Sequence, residues 1–193
     1  MPDIISPPGE QFLREGAIRG GMDLLFLTNT RFLRRADDKL AALGLGRAHH
    51  RVLYFVARKP DMTIGSLLEI LGVTKQSLAR VSKELMRKGL LEQRAGDRDR
   101  RQRLLRLTLA GAALERELFD QMHQNVANAY IASGPDAVAG FWTVIQHLIG
   151  GEGRERFRDL CEDPPVPGPV RRDPFVERKT RQSRHAVSQE ECR

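Results

Sequence analysis

Two short apolar stripes separated by one glycine constrain this chain more than any other feature. Between Thr63 and Leu71, the residues Ile64, Leu67, Leu68 and Leu71 fall at i, i+3, i+4 and i+7, the spacing that lays one apolar face along a helix. Thr63 stands where an N-cap belongs, and Gly72 where a helix stops. Behind Thr74, which can cap in turn, Leu78, Val81 and Leu85 recur at three- and four-residue steps. The stretch reads as two helices joined by a tight turn.

At about 100° per residue, Gln76, Arg80, Lys83 and Arg87 lie opposite the second stripe. A helix with one buried face and one long-armed cationic face suits a DNA major groove, where the N-terminal residues reach base edges and the later cations meet phosphates. Arginine can grip guanine and glutamine can grip adenine through paired hydrogen bonds, so Arg80 and Gln76 are the candidates for sequence readout. Lys75 and Ser77 lie beside them, and Thr74, Lys83 and Arg87 are the candidates for backbone contact. The competing reading is an ordinary amphipathic helix whose cations are merely solvated.

The segment after Gly89 shifts the balance. Leu90–Ala95 and Gln102–Thr108 read as two strands around the tip Gly96-Asp97-Arg98-Asp99-Arg100-Arg101. Four arginines between Arg98 and Arg103 would repel one another without an anionic partner. The narrow, strongly negative minor groove of DNA would attract them.

The runs Val73-Thr74-Lys75-Gln76-Ser77, Lys88-Gly89-Leu90-Leu91, Asp99-Arg100-Arg101 and Leu105-Arg106-Leu107-Thr108-Leu109-Ala110-Gly111 together resemble the MarR family of winged helix-turn-helix regulators. The resemblance spans about Gly21 to Ile149. It implies that Arg101 enters the minor groove from the wing while Asp99 orients it, with Arg98 and Arg100 alongside. It also implies that Leu107, Thr108 and Gly111 lead from the wing into a long helix. The expected fold is mainly α with a small β-hairpin wing, a winged helix-turn-helix carrying N- and C-terminal dimerisation helices. A homodimer would set two recognition helices about one turn of DNA apart on a pseudo-palindrome.

Charge agrees with a nucleic-acid partner. The 193 residues carry a formal net charge of +7 and a pI near 10.0, so a two-fold dimer would carry 2 × 7 = +14. No stretch approaches the roughly 20 apolar residues that a spanning helix needs, and the opening eight residues lack the pattern of a signal peptide. A cytoplasmic protein with no membrane partner is expected. The two cysteines, Cys161 and Cys192, lie outside the predicted core, so no disulfide framework is expected.

Residues 1–15 read as a flexible leader, with a short helix over Glu10 to Ile18 before Gly20-Gly21. Met22 to Leu43 reads as one helix and Arg47 to Lys59 as the next, stopped by Pro60. His49 and His50 are adjacent and so point about 100° apart on a helix, which suits core or interface positions better than one metal. Leu109 to Ile131 is a long helix, and Pro135 opens another over Ala137 to Ile149. The latter, with Val138, Phe141, Trp142, Ile145, Leu148 and Ile149, is apolar over too wide an arc for the surface of a small monomer. The expected organisation is a domain over 16–160, with a DNA-binding lobe at about 46–108 and dimerisation helices at about 16–43 and 109–160. Residues 161–193, rich in proline and arginine, read as a disordered tail.

The expected function is a sequence-specific double-stranded DNA-binding regulator, read as a repressor, although the sequence itself does not separate repression from activation. Many family members are released by a small aromatic effector. The competing function is a winged-helix protein-interaction module with only non-specific nucleic-acid affinity. No P-loop, Gly-x-Gly-x-x-Gly, Gly-x-Ser-x-Gly, CxxC or His-Glu-x-x-His occurs, so neither an enzyme nor a cofactor or metal site is expected.

Overall fold

The computed structural model describes residues 5, 9–96 and 101–162. In chain order the elements are α1 (Glu15–Phe32), α2 (Arg34–Ala42), α3 (Arg47–Arg58), β1 (Met62–Thr63), α4 (Ile64–Leu71), α5 (Lys75–Arg87), β2 (Leu91–Ala95), β3 (Arg103–Leu107), α6 (Leu109–Ser133), α7 (Pro135–Leu148) and α8 (Gly150–Glu162). The chain is mainly helical with a hairpin wing, as its patterning implies.

The core is centred on α3, which contacts α2, α4, α5, α6 and β3. Val52, Leu53 and Val56 of α3 meet Leu40 of α2, Leu67 of α4, Leu78 and Leu85 of α5, Leu105 of β3 and Leu118 of α6 in one buried cluster. Fully burying a leucine stabilises by about 1.5–3 kcal/mol, so these apolar stripes hold the elements in place.

Three expectations change. The first helix starts at Glu15 and runs straight through Gly20-Gly21, neither of which takes a positive φ. Nor is Met22 to Leu43 one helix: it breaks at Leu33, between α1 and α2. The cause is tertiary. The Arg47 guanidinium donates to Asn29 O at 3.2 Å and Thr30 O at 3.4 Å, carbonyls that an unbroken helix would pair with residues four positions on. The same guanidinium forks onto the Asp37 carboxylate, with Nη2 at 2.6 Å from Oδ2, and fixes the start of α2. The third change is a short strand: β1 pairs antiparallel with β3, Met62 opposite Leu105, giving a three-stranded sheet in the order β1-β3-β2.

The later segments match the sequence patterning more closely. Gly134 ends α6, with Pro135 at the first turn of α7; Ile149 lies between α7 and α8, and Gly150, at φ +69°, opens α8. Two arginine bonds return α8 to the lobe: Arg58 Nη2 donates to Leu160 O at 2.9 Å, and Arg156 Nη1 to Glu69 O at 2.7 Å. Cys161 is exposed with a free thiol. No described helix is long and apolar enough to cross a membrane. The tail expected over 161–193, apart from its first two residues, lies outside the described residues, as does most of the leader before Gly9.

Candidate nucleic-acid interface

The two helices of the opening motif are capped as their threonines imply. Thr63 Oγ1 accepts from Ser66 N–H at 3.1 Å, and Thr74 Oγ1 from Ser77 N–H at 3.2 Å. Such caps contribute about 1 kcal/mol each. Gly72, at φ +61°, supplies the left-handed residue that ends α4 and turns the chain into α5.

In α5, Leu78, Val81, Ser82 and Leu85 are buried, while Lys75, Gln76, Ser77, Arg80, Lys83 and Arg87 are exposed. Among the described residues, Lys75, Gln76, Arg80, Lys83 and Arg87 make no side-chain hydrogen bond or ion pair, so their polar ends are free for a partner. Thr74 and Ser77 differ, because the Thr74 hydroxyl donates to Ser77 Oγ at 3.0 Å as well as capping α5. Thr74 therefore has no spare proton for a phosphate, whereas the Ser77 hydroxyl keeps its own.

A contact that the sequence did not disclose seats α5 from behind. His49, at the start of α3, accepts the Gly46 N–H at 3.1 Å through Nδ1, which leaves the ring proton on Nε2. Nε2 lies 2.6 Å from Glu84 Oε2 of α5. The hydrogen bond from His49 holds the Glu84 carboxyl below its ordinary range against some desolvation, and the charges of Arg80 and Arg87 act in the same direction. Glu84 is thus an anion set among the cations of α5. His50 instead enters the core, where burial keeps its imidazole neutral below the usual range and Asp37 only partly opposes this.

The wing emerges from β2 and β3, paired from Leu91 with Leu107 to Ala95 with Arg103, and Gly96 N–H donates to Gln102 O at 3.0 Å. Arg101 is exposed where the chain re-enters β3. Arg98, Asp99 and Arg100 lie outside the described residues.

Behind the wing, Thr108 Oγ1 donates to Gly89 O at 2.6 Å and accepts from Gly111 N–H at 3.0 Å, so one hydroxyl caps α6 and ties it to the turn after α5. Gly111 packs so closely on Leu90 that an added Cβ would fall far inside van der Waals contact distance of Leu90 O. The Leu-Thr-x-x-Gly run therefore has a steric meaning, since only glycine lets α6 start here.

Comparison with known proteins agrees with this geometry. The MarR family model matches residues 43–102. The chain is 41% identical over 162 residues to the HTH-type transcriptional regulator PetP of Rhodobacter capsulatus, covering 83% of this chain and 98% of that protein. A crystal structure of a mutant MarR from E. coli complexed with operator DNA shares the fold at a TM-score of 0.54 and 24% identity, over 71% of this chain and 98% of that one. The PcaV transcriptional regulator of Streptomyces coelicolor, in complex with its natural ligand, shares it at 0.51 and 20% identity, over 75% and 96%. From the capped helix pair to the glycine behind the wing, this chain belongs to the MarR family of winged helix-turn-helix transcriptional regulators.

Proposed function

We propose that the protein is a homodimer that binds a pseudo-palindromic operator in double-stranded DNA, represses transcription there, and is released by a small aromatic effector. Lys75, Gln76, Ser77 and Arg80 read the major groove. Lys83 and Arg87 meet the backbone, joined by Thr74 if its hydroxyl leaves Ser77. Arg98, Arg100 and Arg101 hold the minor groove and backbone, with Asp99 orienting Arg101. The observation that carries this reading is the free cationic face of α5, whose other face is locked into the core.

Two-fold assembly is supported by the ends of the chain. Neither α1 nor α7 has a buried residue, and between them they expose Leu24, Phe26, Phe141, Trp142 and Leu148. Exposed apolar helix faces of this kind suit a subunit interface. Effector release requires unequal affinity for DNA-competent and DNA-incompetent dimers, typically about 1–3 kcal/mol.

Anisotropy titration at several matched salt concentrations, against a duplex that the wild-type protein selects from a random pool and against its scrambled counterpart, tests the reading. Arg80→Ala should erode the preference between the duplexes by about 1–3 kcal/mol. Arg101→Ala should weaken binding to both and reduce the salt slope by about 1. Equal wild-type affinities for the two duplexes would instead favour a protein-interaction module.

A further inference from the structure

Between Pro60 and β1 the chain passes through Asp61, the one non-glycine among the described residues with a positive φ, at +61°. Aspartate tolerates this left-handed conformation better than most residues, but glycine adopts it at no steric cost. The Asp61 side chain is engaged in ion pairs here.

The Asp61 carboxylate accepts two complete guanidinium forks. Arg94 donates through Nε to Oδ1 and through Nη2 to Oδ2, each at 3.0 Å. Arg106 donates through Nε to Oδ1 at 3.0 Å and through Nη2 to Oδ2. These four bonds fill the acceptor sites of one carboxylate. The strand register explains the meeting. With Met62 opposite Leu105 and Arg94 opposite Leu104, Asp61, Arg106 and Arg94 fall on one face of the sheet, away from buried Leu105. Asp61 N–H also donates to Leu105 O at 3.0 Å, so backbone and side chain both grip the hairpin.

The position of this clamp matters more than its strength. Asp61 lies two residues before Thr63, the cap of α4, and Arg94 lies two residues before Gly96, where the wing tip begins. One carboxylate therefore joins the scaffold helix under α5 to the root of the arginine-rich finger. It also occupies two wing cations that would otherwise repel each other across adjacent strands.

We propose that Asp61 is a positioning residue for DNA reading: it fixes the wing relative to the helix pair and withholds Arg94 and Arg106 from phosphates, so that the wing serves the operator rather than any duplex. This rests on the DNA-reading function proposed above. Partial burial would push the Asp61 carboxyl up, but Arg106 and Arg94 outweigh it and hold the group below its ordinary range, so it is charged wherever the protein would bind DNA.

The test is Asp61→Asn in the full chain, since asparagine tolerates the same backbone conformation. The variant and wild type are titrated with the selected and scrambled duplexes over a range of salt. Operator affinity should fall by roughly tenfold, comparable to one lost base-edge contact. Affinity for the scrambled duplex should hold or rise, with a salt slope steeper by about 1 as Arg106 reaches phosphate. A general loss of structure would instead lower both affinities together. An unchanged operator-to-scrambled ratio, or an equal fall in both, overturns the proposal. If Asp61→Asn loses its cooperative melt, Arg94→Gln and Arg106→Gln, which spare the turn, take its place, and wild-type ratios in both overturn it equally. If wild type itself binds the two duplexes equally, the DNA-reading function fails and Asp61's role with it. If wild type discriminates and the variants match it, only the role of Asp61 falls.

Discussion

Twelve residues of α3 bury four side chains, His50, Val52, Leu53 and Val56, whereas α1, half as long again, buries none. The same holds between Leu67 of α4, at 0% exposed, and Leu24 of α1, at 63%. The lobe around α3 closes its core within one chain, and the two ends do not. Both regions are helical and leucine-bearing, so the difference lies in what each can reach. The lobe's stripes meet other stripes of the same chain, while those of α1 and α7 are left facing outward. Helix formation and burial are thus separate achievements here, and in the proposed function the second is completed at the ends only by another copy.

That contrast can be broken most directly with a matched pair of leucines. Leu67→Ala should cost about 2–5 kcal/mol of unfolding free energy at every protein concentration. Leu24→Ala should change the dilute, single-chain value by no more than about 0.5 kcal/mol, while weakening the rise of melting temperature with concentration that a dimer shows. Equal losses in dilute chemical denaturation would mean the ends are not open as described.

A smaller effect sharpens the boundary of the lobe. Gly111→Ala drives a Cβ into Leu90 O and should destabilise by about 1–3 kcal/mol, whereas Gly140→Ala in α7, where nothing lies within 4 Å, should be neutral or slightly stabilising. Thermal melts of the two variants compare the lobe with the open end directly.

The smallest effect is a pH dependence confined to the lobe. His50 has its folded pKa below the ordinary 6.5, chiefly through burial, so the unfolded chain binds the proton first. Its contribution to stability is complete above pH 6.5 and is lost as pH falls from there through the folded value. Denaturation midpoints between pH 7.5 and 5 should fall for wild type and fall less for His50→Leu.

Much of the lobe is legible in the sequence because its signals are local. Thr63 and Thr74 each cap a helix that begins at the next residue, and the buried and exposed faces of α5 follow from spacing alone. The break at Leu33 is not legible in this way, because it carries no glycine or proline and depends on Arg47, which lies fourteen positions later. Gly20-Gly21 misleads for the converse reason, since two glycines permit a turn without requiring one. β1 has two residues, too few to show alternation, and the Asp61 clamp joins positions 33 and 45 residues apart. The candidate site divides likewise. The reading face of α5 is visible in the sequence, but the His49–Glu84 contact that seats it is not.

The close approach of Gly111 to Leu90 has a mechanical corollary. A 25-residue rod starts at that point, and at 1.5 Å per residue it reaches about 37 Å. Pinned at its root by backbone rather than by a flexible side chain, it has little slack there. A pivot of about 5° at the pinned end sweeps its far end through roughly 3 Å over that length, and displacement imposed far away returns to the wing as rotation.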